Sequence, residues 1–96
     1  MKYFHRTHLS LDGAIEQAAA YFGARLAPVD EGARSRRWAG PIGQIGVTAV
    51  ADGGHYTLVT VETDQPGESE ADRMAKRFLT LLHTADEPTH HPRGAY

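Results

Sequence analysis

The sequence predicts an α+β domain in which an antiparallel sheet of about four strands carries two helices on one face. Two runs rich in Val, Thr and Ile flank the turn residues Asp52, Gly53 and Gly54, and they predict a β-hairpin over residues 44–64. Apolar residues recur at helical spacing on either side of this hairpin. The predicted order of elements is β-α-β-β-β-α, with the helices covering one face of the sheet.

The first strand and the first helix are predicted within residues 2–23. Residues 2–9 alternate loosely and are rich in Tyr, Phe and Thr, which is typical of a strand. Ser10 or Asp12 can begin the helix by accepting hydrogen bonds from its first free N–H groups. Gly23 predicts its end. The apolar side of this helix comprises Leu11, Ala14, Ile15, Ala18, Tyr21 and Phe22.

The middle of the chain is predicted to hold a loop and a short strand before the hairpin. Residues 27–33, APVDEGA, indicate a loop, and residues 34–39 indicate a strand that contains Trp38. The glycines and the proline of residues 40–43 break the backbone before the hairpin begins.

The hairpin loop decides which residues share a face. A two-residue loop would place Ile45 and Val47 on the same face as Glu62. A three-residue loop of residues 52–54, with Gly54 in the left-handed conformation, instead joins them to Val59 and Val61 on an uncharged face. We predict the three-residue loop, because it separates the apolar from the charged residues more cleanly.

The second helix is predicted over residues 70–83. Ser69 and Asp72 resemble a capping box at its start. Asp72 and Lys76 are four residues apart and predict an exposed ion pair. The apolar side of this helix comprises Ala71, Met74, Ala75, Phe78, Leu79 and Leu82. Residues 1–84 are therefore predicted to form a single domain. Residues 85–96, with two prolines and no apolar period, are predicted to be a disordered tail.

Composition narrows the classes of function. The chain has 96 residues, a formal charge of −2 and no cysteine. This charge provides no bulk attraction to nucleic acid or to anionic membranes, and disulfides and thiolate metal sites are excluded. No apolar run is long enough to span a membrane, and the first ten residues lack the apolar stretch of a secretion signal. We expect a cytoplasmic protein without a cofactor.

No catalytic or metal-binding arrangement is evident in the sequence. Six histidines are present, but none of them shares a spacing that zinc sites use. Arg34, Arg36 and Arg37 beside Trp38 could bind an anion or RNA, with Trp38 stacking on a base. The alternative, which we favour, is an edge strand whose charges prevent edge-to-edge aggregation. A nucleic-acid partner is thus disfavoured.

Two further sets of residues are candidate sites. The register leaves Val50, Tyr56 and Leu58 together on the sheet face that the helices do not cover, which predicts an interface, most simply in a homodimer. Trp38, Met74 and Phe78 could instead line a pocket for a small apolar ligand between the second helix and the sheet. The sequence favours a non-enzymatic binding or accessory domain over an enzyme or ligand carrier.

Parts of the chain resemble known families. The opening YFHRTHLSLDGAIEQAAAYFG and the closing helix ADRMAKRFLTLLH resemble the ends of a helix-grip (START-like, SRPBCC) domain. That resemblance implies an antiparallel sheet wrapped around a C-terminal helix and an enclosed apolar ligand, although about four strands are too few to close the usual cavity. In size, element order and the residues Arg6, Thr7 and His8, the chain also resembles small bacterial proteins associated with polyhydroxyalkanoate granules. Both resemblances cover residues 2–84 and carry over no functional residue.

Overall fold

The computed structural model describes residues 1–86, which form a five-stranded antiparallel sheet with two helices. The elements are β1 (Lys2–Thr7), α1 (Leu11–Gly23), β2 (Ala27–Glu31), β3 (Ser35–Gly40), β4 (Gly43–Asp52), β5 (Tyr56–Thr63) and α2 (Glu70–Asp86). The strand order across the sheet is β1-β5-β4-β3-β2. The predicted α+β class is confirmed. Within residues 1–86, neither helix has the length and apolar character needed to cross a membrane.

The sheet has one strand more than predicted, because the predicted loop over residues 27–33 contains β2. This strand pairs with β3 through Ala27↔Ala39 and Glu31↔Arg36, with a register shift between Pro28 and Asp30. All five of its residues are exposed. Proline lacks the N–H that an inner strand needs, so Pro28 suits a strand at the edge of the sheet.

The predicted faces of the hairpin are confirmed. Val47 pairs with Val61 and Ala49 pairs with Val59, and these residues are buried on the helix side. The loop itself consists of residues 53–55, because Asp52 and Tyr56 form the last pair. The observed loop therefore begins one residue later than the predicted loop, residues 52–54. Moving the loop by one residue changes the strand pairing by two residues, and a shift of two leaves every side chain on the predicted face.

Both helices begin at serine caps. Ser10 Oγ accepts a hydrogen bond from the Gly13 N–H at 2.9 Å, and Ser69 Oγ accepts one from the Asp72 N–H at 3.1 Å. The helix α2 continues to Asp86, three residues beyond the predicted end, and includes the first two residues of the predicted tail. The rest of that tail, residues 87–96, lies outside the described residues.

The core fills the space between the two helices and one face of the sheet. Phe22 of α1 contacts Trp38 of β3 and Phe78 of α2, with ring centroids 5.3 and 4.9 Å apart. Burying each large apolar side chain stabilises the fold by about 1.5–3 kcal/mol. The largest apolar side chains that are fully buried are Phe22, Ile45, Val47, Val59, Val61, Phe78 and Leu82.

Candidate interaction face

The sheet has a second face, opposite the helices, which we call the open face. The strand register places there the residues that alternate with the core, because successive side chains of a strand point to opposite faces. Large apolar side chains are exposed on it: Phe4 is 63% exposed, Val50 46% and Tyr56 40%. The exposed fractions show that α1 and α2 do not cover these three side chains.

The exposed apolar side chains of the open face are contiguous. Val50 of β4 pairs with Leu58 of β5, and the neighbouring strand β1 contributes Phe4 one row away, opposite Thr60. The sequence predicts Val50, Tyr56 and Leu58 on this face, but it does not predict Phe4. The alternation of β1 could have placed Phe4 on this face. That inference requires the pairing of β1 with β5, which the sequence alone does not give. We call Phe4, Val50, Tyr56 and Leu58 the apolar cluster.

Polar contacts hold Tyr56 at the hairpin end of the apolar cluster. Arg6 Nε donates a hydrogen bond to Asp52 Oδ2 at 2.9 Å, and its guanidinium carbon lies 5.8 Å from the centre of the Tyr56 ring. The centre of the His8 ring lies 4.7 Å from the centre of the Tyr56 ring. These contacts restrict an exposed aromatic side chain, which lowers the entropy that it would lose in an interface.

The residues predicted to line a ligand pocket lie in or against the packed core. Trp38 is 3% exposed and Phe78 is fully buried, and both rings contact Phe22. Met74 is partly buried and packs against the same core. No pocket is found in the part of the chain that the structure describes. The space between α2 and the sheet, which the prediction assigned to a ligand, is therefore filled by side chains.

The three arginines predicted to bind an anion do not all lie on one side of the sheet. Arg34 forms an ion pair with Asp12 of α1. Arg36 shares the helix side with Trp38, and its Nε donates to the Gly32 carbonyl at 3.1 Å. Arg37 lies on the open face. The alternation of β3 therefore separates residues that are adjacent in sequence.

A buried carboxylate connects α2 to β1. Asp72 is fully buried and accepts hydrogen bonds from the Tyr3 hydroxyl, from the Glu68 N–H at 3.0 Å and from Lys76 Nζ at 3.0 Å. The Tyr3 hydrogen bond, then the Glu68 N–H and then Lys76 lower the pKa of Asp72 to about 2. The predicted Asp72–Lys76 pair forms, but its predicted location on the exposed side is wrong for Asp72, because Tyr3 supplies a partner inside.

The histidines of the described residues form no cluster with other potential metal ligands. The rings of His5 and His83 meet edge to face, with centroids 6.3 Å apart. Within residues 1–86, no group of three or more His, Cys, Asp or Glu side chains could hold a metal ion. His90 and His91 lie outside the described residues.

Comparison with known proteins adds no functional information. No protein-family model matches this chain, and neither the curated proteins nor the solved structures contain a match to it. The resemblances to helix-grip domains and to granule-associated proteins therefore stay predictions.

Proposed function

We propose that this protein is a non-enzymatic binding or accessory domain of the cytoplasm that forms a homodimer through the open face of its sheet. The apolar cluster carries this proposal. Its side chains Phe4, Val50 and Tyr56 are each at least 40% exposed and lie around Leu58 on the three adjacent strands β1, β5 and β4. Contiguous exposed apolar patches of this kind mark interaction sites more often than isolated apolar residues do.

The dimensions of the molecule suit this role. The chain measures 35 × 32 × 21 Å, and its short dimension corresponds to one sheet and one layer of helices. The broad side is large enough for a standard interface, which buries about 800 Å² on each partner. A second sheet packed on the open face would form a core of two sheets between two outer layers of helices.

The test is the oligomeric state of the protein and of one variant. Sedimentation velocity over about 1 μM to about 1 mM covers the Kd values of weak and moderate complexes. We expect the wild type to dimerise in this range. The substitution Val50→Lys places a charge within the apolar cluster, and we expect that variant to stay monomeric with an unchanged circular dichroism spectrum.

A matched control is available on α2. Leu81 is 40% exposed, close to the 46% of Val50, but it lies on the helix layer, away from the open face. The variant Leu81→Lys should therefore dimerise like the wild type. A wild type that is monomeric at the highest concentration would contradict the proposal. So would a Val50→Lys variant that dimerises as well as the Leu81→Lys variant.

A further inference from the structure

Five residues cross the open face in one row, and their charges alternate. Lys2 of β1 pairs with Glu62 of β5, Glu62 with Gly46 of β4, Gly46 with Arg37 of β3, and Arg37 with Asp30 of β2. The row therefore reads positive, negative, neutral, positive, negative from one edge of the sheet to the other. Lys2 Nζ lies 3.8 Å from Glu62 Oε2. We call these five residues the charged row.

The middle of the charged row is occupied by an arginine side chain. A Cβ added to Gly46 would lie 3.2 Å from the guanidinium carbon of Arg37, so this guanidinium lies over β4. Glycine is the residue that leaves this space. The Arg37 guanidinium is thereby carried from its own strand to the midline of the row, one strand spacing of about 4.8 Å from the strand of Glu62.

The charged row is self-complementary about β4. We propose that two copies of this chain pack face to face about a two-fold axis parallel to β4. This inference rests on the proposed function, because it specifies how the second copy lies on the open face. Such an axis reverses the order of the strands and keeps the position along them. Glu62 then faces Arg37 of the second copy, Lys2 faces Asp30 of the second copy, and Gly46 faces its own equivalent.

The spacing of packed sheets allows these pairs to form. Face-to-face sheets lie about 10 Å apart, a gap that Glu and Arg side chains extending from opposite sheets can bridge. Because each Arg37 guanidinium lies over Gly46, the Arg37 guanidinium groups of the two copies approach each other at the axis, and the Glu62 side chains of both copies flank them. Val50 is also on β4, two residues beyond Thr48, so the same axis brings it against its own equivalent, while Phe4 of β1 and Leu58 of β5 face the β2–β3 side of the second copy.

Other axes superimpose more like charges. An axis along β5 is centred on the apolar cluster, but it sets Glu62 against Glu62 of the second copy, and it sets Lys2 against the Arg37 guanidinium that lies over β4 of the second copy. An axis along the charged row sets each of its residues against its own equivalent. Like charges facing each other across an interface cost several kcal/mol. The axis along β4 brings together one like pair, Arg37 with Arg37 of the second copy, and the two Glu62 carboxylates compensate that charge. Charge complementarity therefore favours the axis along β4 among these arrangements.

The test is a pair of charge reversals. In the Glu62→Arg variant, the introduced arginine would face Arg37 of the second copy, and in the Arg37→Glu variant the introduced glutamate would face Glu62 of the second copy. We expect each variant alone to dimerise at least about 100-fold more weakly than the wild type. An equimolar mixture of the two should form a heterodimer, because every reversed residue then meets its opposite. Sedimentation velocity with one variant fluorescently labelled measures both results.

Controls separate folding from pairing. Glu16 of α1 is exposed on the helix layer, so Glu16→Arg makes the same charge change away from the open face and should leave the dimer unchanged. Circular dichroism melts of each variant at low concentration report its folding. If a reversal does not fold, Glu62→Gln and Arg37→Gln replace it, and each is expected to weaken the dimer by about tenfold.

The outcomes distinguish this inference from the proposed function. A wild type that never dimerises overturns both. A wild-type dimer that both reversals leave intact overturns the axis along β4 and leaves the proposed function standing. A Glu62→Arg variant that pairs preferentially with the wild type indicates the axis along β5 and also overturns the inference.

Discussion

Replacing Phe78 with leucine tests whether the space between α2 and the sheet is core or pocket. The Phe78 ring lies 4.9 Å from the Phe22 ring and 5.9 Å from the Tyr21 ring. Each aromatic pair contributes about 0.5–1.5 kcal/mol beyond the area that it buries. We therefore expect Phe78→Leu to lower the free energy of unfolding by about 1–3 kcal/mol. The truncation Phe78→Ala would cost about 3–5 kcal/mol, a large part of the stability of a domain of this size.

Urea unfolding followed by circular dichroism measures this change. With a slope of about 1–3 kcal/mol per molar urea, a loss of about 2 kcal/mol moves the midpoint by about 1 M. The comparison is made in the Val50→Lys background, because dissociation of a dimer would otherwise add to the free energy of unfolding.

Met74 provides the matched control for Phe78. It was predicted to line the same pocket and is partly buried against the core, so the volume-conserving change Met74→Leu should cost less than about 1.5 kcal/mol. A Phe78→Leu variant within about 0.5 kcal/mol of its background would be typical of a surface position. Together with binding of an apolar dye by the unmutated protein, that result would refute the packed core and support a ligand pocket.

Two further predictions concern the start of α2. The pKa of Asp72 is lowered from 3.8 to about 2, so its charge stabilises the fold above pH 3.8, and this contribution is lost as pH falls through about 2. The melting-temperature difference between the wild type and Asp72→Asn should therefore shrink over that range; a difference independent of pH would contradict the assignment. Glu68 has a φ of 69°, a conformation that costs a side-chain-bearing residue about 1–2 kcal/mol. Allowing for the greater entropy of unfolded glycine, Glu68→Gly should gain about 0.5–1 kcal/mol and raise the melting temperature by about 4 °C, whereas Glu68→Ala, which keeps the strain, should bring no gain in a thermal melt.

The parts of the fold that local chemistry determines could be predicted from the sequence. Ser10 caps α1 because a serine side chain before a helix accepts from the first free N–H groups. The faces of the hairpin followed from the alternation of Val47, Val59 and Val61, since only one choice of face kept charge away from them. Both inferences used residues that are close together in sequence.

Features that depend on distant partners were missed. The strand β2 has no apolar alternation, because both sides of it are exposed, and only its pairing with β3 makes it a strand. Asp72 was predicted to lie in solvent, yet it is buried with a hydrogen bond from Tyr3, which is 69 residues away in the chain. A carboxylate is buried only where donors are present, and no local pattern indicates a donor so distant. Phe4 was missed for the same reason, because only the pairing of β1 with the distant strand β5 places it in the apolar cluster.

The charged row and the buried core depend on one register. Val47 and Val61 are paired inside the sheet, and the next pair in the same two strands, Gly46 and Glu62, lies on the open face. A slip of one residue between β4 and β5 would expose the valines and bury the glutamate, at a cost of several kcal/mol. Burial of the apolar core therefore fixes the strand register that aligns the charged row. The ion pairs of that row are exposed and are too weak to fix the register by themselves. Substitutions on the open face can consequently change the pairing of two copies while the fold of each copy stays intact.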